Sequence, residues 1–271
     1  MQRHGIRRYT ADSGWMADTD QLAGEEPLGI RVDTHSIAVT MRTPGHDAEL
    51  ALGFLVSEGL LESPSQVQAV KAYPRNELGN SIEVFLTPDV VVDYRRLTRH
   101  VFGSSSCGIC GKASIESVRG RFPPVAADRF HIRTEDLLAW PEIMRGAQDT
   151  FSMTGGLHAA ALFSAAGSLR LLREDVGRHN AIDKVIGHAF THGWLPLHRH
   201  VLLVSGRSSF EIQQKALAAG ISFVAAVGAP SSLAVDFAVE SGQTLVGFLR
   251  PGRFNVYAGD HRLEGAPGQT G

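Results

Sequence analysis

The sequence predicts an α/β protein, with a mixed sheet carrying helices on both faces in the C-terminal half and a smaller α+β unit before it. Three observations carry this reading. Residues 201–204, 223–227 and 244–249 are near-continuous apolar runs of strand length, as expected for strands buried on both faces. Helical stretches separate them, and such short strand–helix–strand crossovers, nearly always right-handed, impose parallel pairing. The first half shows a different order, a strand, a helix and two more strands, before the pattern fades into glycine, serine and proline.

Taken in order, residues 1–25 are polar and poorly patterned and read as a flexible, extended arm. Residues 26–87 form the small α+β unit. Ser36-Ile37-Ala38-Val39-Thr40-Met41-Arg42 reads as a strand, residues 47–61 place Leu50, Phe54, Leu55 and either Leu60 or Leu61 at helical spacing, and 66–72 and 81–86 read as further strands. The helical segment Ala51-Leu52-Gly53-Phe54-Leu55-Val56-Ser57-Glu58-Gly59 reads as core. Residues 88–128 read as a mobile connector, with Pro88, Gly103, Pro123 and Pro124. The α/β domain occupies 129–263. It opens on a helix near 134–148, then a hairpin whose strands flank Ala165-Ala166-Gly167-Ser168, then a helix over about 179–192. Ser231 and Ser232 are placed to cap the helix that follows the second apolar run. Residues 264–271 form a tail.

Composition removes several functional classes. With 271 residues, 43% apolar and 20% charged, the chain can bury one large core or two smaller ones. A net charge of −2 and a pI near 6.6 supply no global positive field for nucleic acid or anionic lipid. No run approaches the roughly 18 apolar residues of a membrane span, and the first residues lack the apolar centre of a signal peptide. The expectation is a cytoplasmic protein with no nucleic-acid or membrane partner.

The parallel topology gathers three loops at one edge. Ser205-Gly206-Arg207-Ser208, Gly228-Ala229-Pro230-Ser231-Ser232 and Arg250-Pro251-Gly252-Arg253 all leave carboxyl ends of strands, where open α/β sheets bind ligands. Two lead into helix N-termini. Free N–H groups, helix dipoles, serine hydroxyls and three arginines suit a phosphate or pyrophosphate, whereas the plainer reading is capping plus surface arginines.

Cys107 and Cys110 are the only cysteines, three apart in Ser104-Ser105-Ser106-Cys107-Gly108-Ile109-Cys110-Gly111. In a chain this size within a reducing compartment they read as functional. Zinc would need two of the 12 histidines, and none stands at finger spacing nearby. A thioredoxin-like dithiol would follow a strand, and a serine run precedes this pair. A sulfur carrier would use a thiolate on a mobile loop. Metal, redox and carrier chemistry all stay open on the residues alone.

Cys107-Gly108-Ile109-Cys110-Gly111 resembles the signature of the formate dehydrogenase accessory sulfurtransferases, the FdhD family. Further segments match it: Thr154-Gly155-Gly156-Leu157-His158-Ala159-Ala160, Glu174-Asp175-Val176-Gly177-Arg178-His179-Asn180-Ala181-Ile182-Asp183-Lys184, Ser205-Gly206-Arg207, residues 51–59 and residues 244–253. The likeness covers about 25–263. It implies a cytidine-deaminase-like fold and a homodimer. It also implies a sulfur carrier that takes sulfur from a cysteine desulfurase as a persulfide and passes it to the molybdenum cofactor, bis(molybdopterin guanine dinucleotide), before insertion into formate dehydrogenase. Cys107 would bear the persulfide with Cys110 as its partner. Phe248, Leu249, Arg250, Pro251, Gly252 and Arg253 would face the cofactor, as would Ser205, Gly206, Arg207, His158, Arg178 and His179. The alternative within this reading is a cofactor-binding chaperone without sulfur transfer.

A zinc deaminase needs His or Cys two residues before Glu, and Pro-Cys-x-x-Cys downstream. Here Ala160 stands where that Glu would follow His158, and the cysteine pair comes earlier, so hydrolytic deamination is not expected. His158 reads either as a hairpin or core histidine or as a cofactor contact. Mixed charges at Glu174-Asp175-Val176-Gly177-Arg178-His179 read plainly as a solvated cap network, and functionally as a wall of the cofactor groove.

Overall fold

The computed structural model describes residues 1–76, 79–94, 122–125 and 130–266. Cys107, Cys110 and most of the 88–128 connector lie outside the described residues, as does the end of the 264–271 tail.

The first residues are more ordered than the expected arm. β1 (Gln2–Thr10) and β2 (Gly14–Leu22) form an antiparallel hairpin, closed by Gly14 at φ 66°. Both faces are largely exposed, so no apolar alternation marks the strands in the sequence. A cross-strand pair, Tyr9 and Trp15 with ring centroids 5.3 Å apart, holds the two strands together beside the turn.

A four-stranded sheet follows, in the order β4-β3-β6-β5: β3 is Glu26–Val32, β4 His35–Arg42, β5 Val67–Asn76 and β6 Gly79–Leu86. One face carries Leu28, Ile30, Val32, Ile37, Ile82 and Val84 onto helix α1 (Asp47–Ser57), in a single buried cluster.

In the C-terminal half a six-stranded sheet runs β12-β11-β10-β9-β7-β8. β7 (His158–Ser164) and β8 (Leu169–Asp175) form the expected hairpin, and β7 is antiparallel to β9 (His200–Val204). β9, β10 (Phe223–Ala226) and β11 (Thr244–Arg250) are mutually parallel, as their apolar runs predict. An edge strand, β12 (Arg253–Ala258), returns antiparallel to β11. Alternate residues face opposite helical layers. Leu162, Leu202 and Val224 meet α4 (Arg178–Thr191) and α5 (Phe210–Ala218) on one side, and α6 (Ser232–Ser241) packs over Leu245 on the same side. Phe163, Leu203 and Ala225 meet α2 (Thr134–Gly146) on the other, where Trp140 stacks on Phe163 at 4.5 Å. A short helix, α3 (Asp149–Thr154), leads back to β7.

The two sheets share one core because α1 lies directly on α4. Gly53 and Gly187 make this crossing possible. A Cβ on Gly53 would sit 1.8 Å from the Asp183 carbonyl oxygen, and one on Gly187 1.8 Å from that of Glu49. The backbones therefore touch. Among the described residues no helix is long and apolar enough to cross a membrane.

Candidate functional site

The three expected loops do lie side by side at the carboxyl edge of the parallel strands. Pairing continues past the strand ends: Gly228 N–H donates to Gly206 O at 2.9 Å, and Phe248 N–H to Gly228 O at 3.0 Å. Ser208 N–H donates to Ala229 O, and Ser231 N–H to Ser208 O. Such closeness needs small residues. A Cβ at Gly228 would come within 2.8 Å of Gly206 O, and one at Gly247 within 2.8 Å of the Pro230 ring. Ser231 caps α6 through its hydroxyl, which accepts from Ala234 N–H at 3.2 Å, as its position predicts. α5 starts after Ser208 and Ser209, where the buried Gln213 amide donates to the Ser208 hydroxyl at 2.8 Å.

Beyond this ladder the last loop is open to solvent. Phe248 takes a left-handed backbone, φ 51°, and is 42% exposed, which is unusual strain for an aromatic residue and turns its ring outward. Arg250, Pro251, Gly252 and Arg253 are exposed, with the two arginines opposite one another across the β11–β12 turn. Leu249 departs from the expectation that the whole stretch faces a ligand. It is fully buried in the sheet core beside Val246, three residues earlier, because the left-handed backbone at Phe248 and the register shift between Gly247 and Arg250 interrupt strand alternation and turn it inward.

Next to the loops, α4 delivers Arg178 and His179 and β7 delivers His158. Gly206 packs against the His158 ring and the Arg178 stem. The Arg178 Nε is buried with no hydrogen-bond partner among the described residues. His179 reaches across to α5, with its Nε2 3.0 Å from Glu211 and 3.4 Å from the Ser209 hydroxyl. Burial first, then the charges of Lys215, Arg178 and His158, drives its pKa down to about 3, although the Glu211 carboxylate stands 3.0 Å from the ring. At neutral pH the ring is therefore neutral, and its Nε2–H donates to Glu211. His158 is also held below its ordinary value, by burial first and then by Arg178, with Asp175 opposing. At neutral pH neither ring therefore adds a positive charge to this edge.

On the α2 side of the same edge a cleft of about 500 Å³ opens, within the usual span of small-molecule sites. Arg145, Gln148, Phe151, Gly156, His158 and Ser205 contribute to its walls. The Arg145 guanidinium lies 3.9 Å from the Phe151 ring centroid, a cation–π contact that fixes both. The Ser205 hydroxyl accepts from Ala159 N–H at 2.8 Å. His158 thus separates an apolar cleft from a cationic edge.

The charged stretch before α4 is not the solvated network it resembles. Asp175 is fully buried and pairs with the equally buried Lys184 at 2.7 Å, because the β4–α1 connection closes over both. Glu174, by contrast, accepts from Thr150 and Phe151 N–H at the start of α3.

The structure thus brings together His158, Arg178, His179, Ser205, Gly206, Arg207 and the exposed part of 248–253. The cysteines fall outside the described residues. Sequence reasoning passed over Arg145, Phe151 and Gln148, which lie on α2, α3 and the link between them, and over Ser209 and Glu211 on α5. Only Glu211 carried a signal, an acid in the first turn of a helix at the ligand edge. Among the described residues no group of three or more His, Cys, Asp or Glu is arranged to hold a metal ion.

Residues 23–264 match the FdhD/NarQ family. The chain is 53% identical over 251 residues to the sulfur carrier protein FdhD of Streptomyces avermitilis, covering 90% of this chain and 89% of that one. It is 49% identical to the protein of the same name from Mycolicibacterium paratuberculosis, covering 96% and 98%. A crystal structure of a putative formate dehydrogenase accessory protein from Desulfotalea psychrophila has the same fold, with a TM-score of 0.76 and 22% identity, covering 97% of this chain and 98% of that one. With residues 23–264 matched and half of its residues shared with such relatives, the chain belongs to the FdhD/NarQ family.

Proposed function

We propose that the protein is a cytoplasmic sulfur carrier that serves a formate dehydrogenase. A cysteine desulfurase presents its persulfide, and the Cys107 thiolate attacks the outer, sulfane sulfur. A new S–S bond forms at Cys107 as the donor's S–S bond breaks, and the donor leaves as a thiolate, so no outside oxidant or reductant is needed. Cys110 stands beside it as partner. The sulfur then goes to the bis(molybdopterin guanine dinucleotide) cofactor, the protein's substrate, held at the carboxyl edge before its insertion into the dehydrogenase. Two copies of the chain form the working unit.

Within the protein, one observation carries the docking half of this reading. A buried Arg178 Nε without a partner among the described residues, beside two neutral histidines and at the same sheet edge as the loop that carries the exposed Arg250 and Arg253, suits an anionic group that replaces water. The adjoining cleft, with Phe151 and Gln148 in its wall, suits the planar ring of such a ligand. Sulfur carriage itself rests on the family and on the cysteine pair.

Incubation with a desulfurase and cysteine tests it. The intact mass should rise by one sulfur atom, dithiothreitol should remove it, and Cys107→Ala should abolish it. Loading that persists when both cysteines are alanine would defeat the reading, and guanine nucleotide binding and dehydrogenase maturation that survive in that double variant would point to a chaperone without sulfur transfer.

A further inference from the structure

The small sheet has no residue in the candidate site, yet it grips the helix that supplies two. Where β4 ends, Met41 and Thr43 meet the first turns of α4. Asn180 donates its amide to Met41 O at 2.8 Å and to Asp175 at 2.9 Å, and its carbonyl accepts from the Thr40 hydroxyl at 3.2 Å. The Thr43 N–H donates to Asp175 at 3.1 Å, and the Thr43 hydroxyl accepts from Val176 N–H at 3.1 Å. Lys184, one turn further along α4, donates to Thr43 O at 2.9 Å while pairing with Asp175. Asp175 also accepts from Gly177 N–H at 2.8 Å, the residue that caps α4.

Apart from the Lys184–Thr43 hydrogen bond these contacts converge on residues 175–180, and the two residues inside that span that point elsewhere are Arg178 and His179. A buried ion pair is a poor way to gain stability, because desolvation offsets most of the attraction. It is a good way to fix position, since each partner has one geometry that satisfies it. Gly177 leaves no slack: a Cβ there would come within 2.9 Å of the Asn180 amide.

We infer that Asn180 and Thr43 are positioning residues for the ligand edge, the end of the small sheet holding the first turn of α4 so that Arg178 and His179 keep the geometry that receives an anionic group. The inference rests on the docking role given to that edge above. It assigns the N-terminal unit a part in the site, through contacts more than 130 residues distant in sequence and without a side chain of that unit reaching the ligand.

The test uses guanosine diphosphate as probe, by calorimetry on the full-length protein, together with an NMR titration of the His158 ring, which faces Arg178 and Asp175. Thr43→Val removes one hydrogen bond and Asn180→Ala three, and both leave Arg178, His179 and the 248–253 loop intact. The expected result is binding weakened about tenfold by Thr43→Val, the loss of one well-placed hydrogen bond, and at least as much by Asn180→Ala, each with a displaced His158 midpoint, while Thr43→Ser restores both. Folded Thr43→Val or Asn180→Ala protein with the affinity and the His158 midpoint of the parent would overturn it. Should the parent itself ignore guanosine diphosphate, the docking role falls, and an unmoved His158 midpoint in the variants is then the result that sinks the positioning role separately.

Discussion

At the scale of single residues, the candidate site is a set of neutral histidines amid fixed cations. His179 has a consequence for acid stability. Its folded value, about 3, lies below the ordinary 6.5, so the unfolded chain binds the proton more readily between the two. The stability that goes with the neutral ring is complete above about 6.5 and is lost progressively as pH falls toward 3. His179→Gln should therefore lose less stability than the parent between about pH 6.5 and 4, measured as the difference in urea midpoints. Equal losses would mean that the ring is not held neutral. For the open loop the expectation is different: Phe248→Ala and Arg250→Ala should each weaken guanosine diphosphate binding by about tenfold, with an unchanged melting temperature, because both side chains are exposed. Thermal melts beside calorimetry decide it.

The arginines and serines of this edge were legible in sequence, since apolar strand runs located the loops. Leu249 was not, because the motif does not show the left-handed turn at Phe248 that sets which side Leu249 faces. Asp175 was misread for a related reason. An acid before a helix is usually a solvated cap, and only the packing of a connection more than 130 residues away in sequence buries it.

At the scale of elements, what the sequence conceals is whatever lacks an apolar side. β10 is buried on both faces and could be read directly, whereas β12, an edge strand largely open to solvent, and the β1–β2 hairpin have no such signature. β3 hides behind Pro27 and Gly29. Pro27 is tolerated because β3 pairs there with β4 alone, and pairing with β6 begins only at Gly29. The helix crossing was half visible: Gly53 falls in a stretch read as core, but not the backbone contact that demands it. Gly53→Ala should destabilise by about 3 kcal/mol or more, seen in urea unfolding, since neither backbone can withdraw without opening the cluster shared by both sheets. A cost below 1 kcal/mol would mean that the crossing is looser than described.

For the whole molecule, the proposed function separates two tasks. The described flanks of the cysteine segment are Tyr94, whose hydroxyl donates to Asp33 beside the small sheet, and Phe122, which packs against Phe210, Leu217 and Phe237. Val125 then donates its N–H to Ser241 O at the C-terminal end of α6, and so at the edge opposite the docking loops. Cys107 is 13 residues from Tyr94 and Cys110 is 12 from Phe122, a reach of roughly 40 Å from either flank if extended, so this separation does not prevent the cysteines from meeting a ligand at the far edge. In the proposed function all transferred sulfur passes through Cys107. The most direct measurement follows radiolabelled sulfur from cysteine, through the desulfurase and this protein, into a formate dehydrogenase matured in its presence. The label should appear on the dehydrogenase's cofactor with the parent protein and be absent, together with activity, for Cys107→Ala. A labelled and fully active dehydrogenase obtained with Cys107 and Cys110 both replaced by alanine would contradict the account.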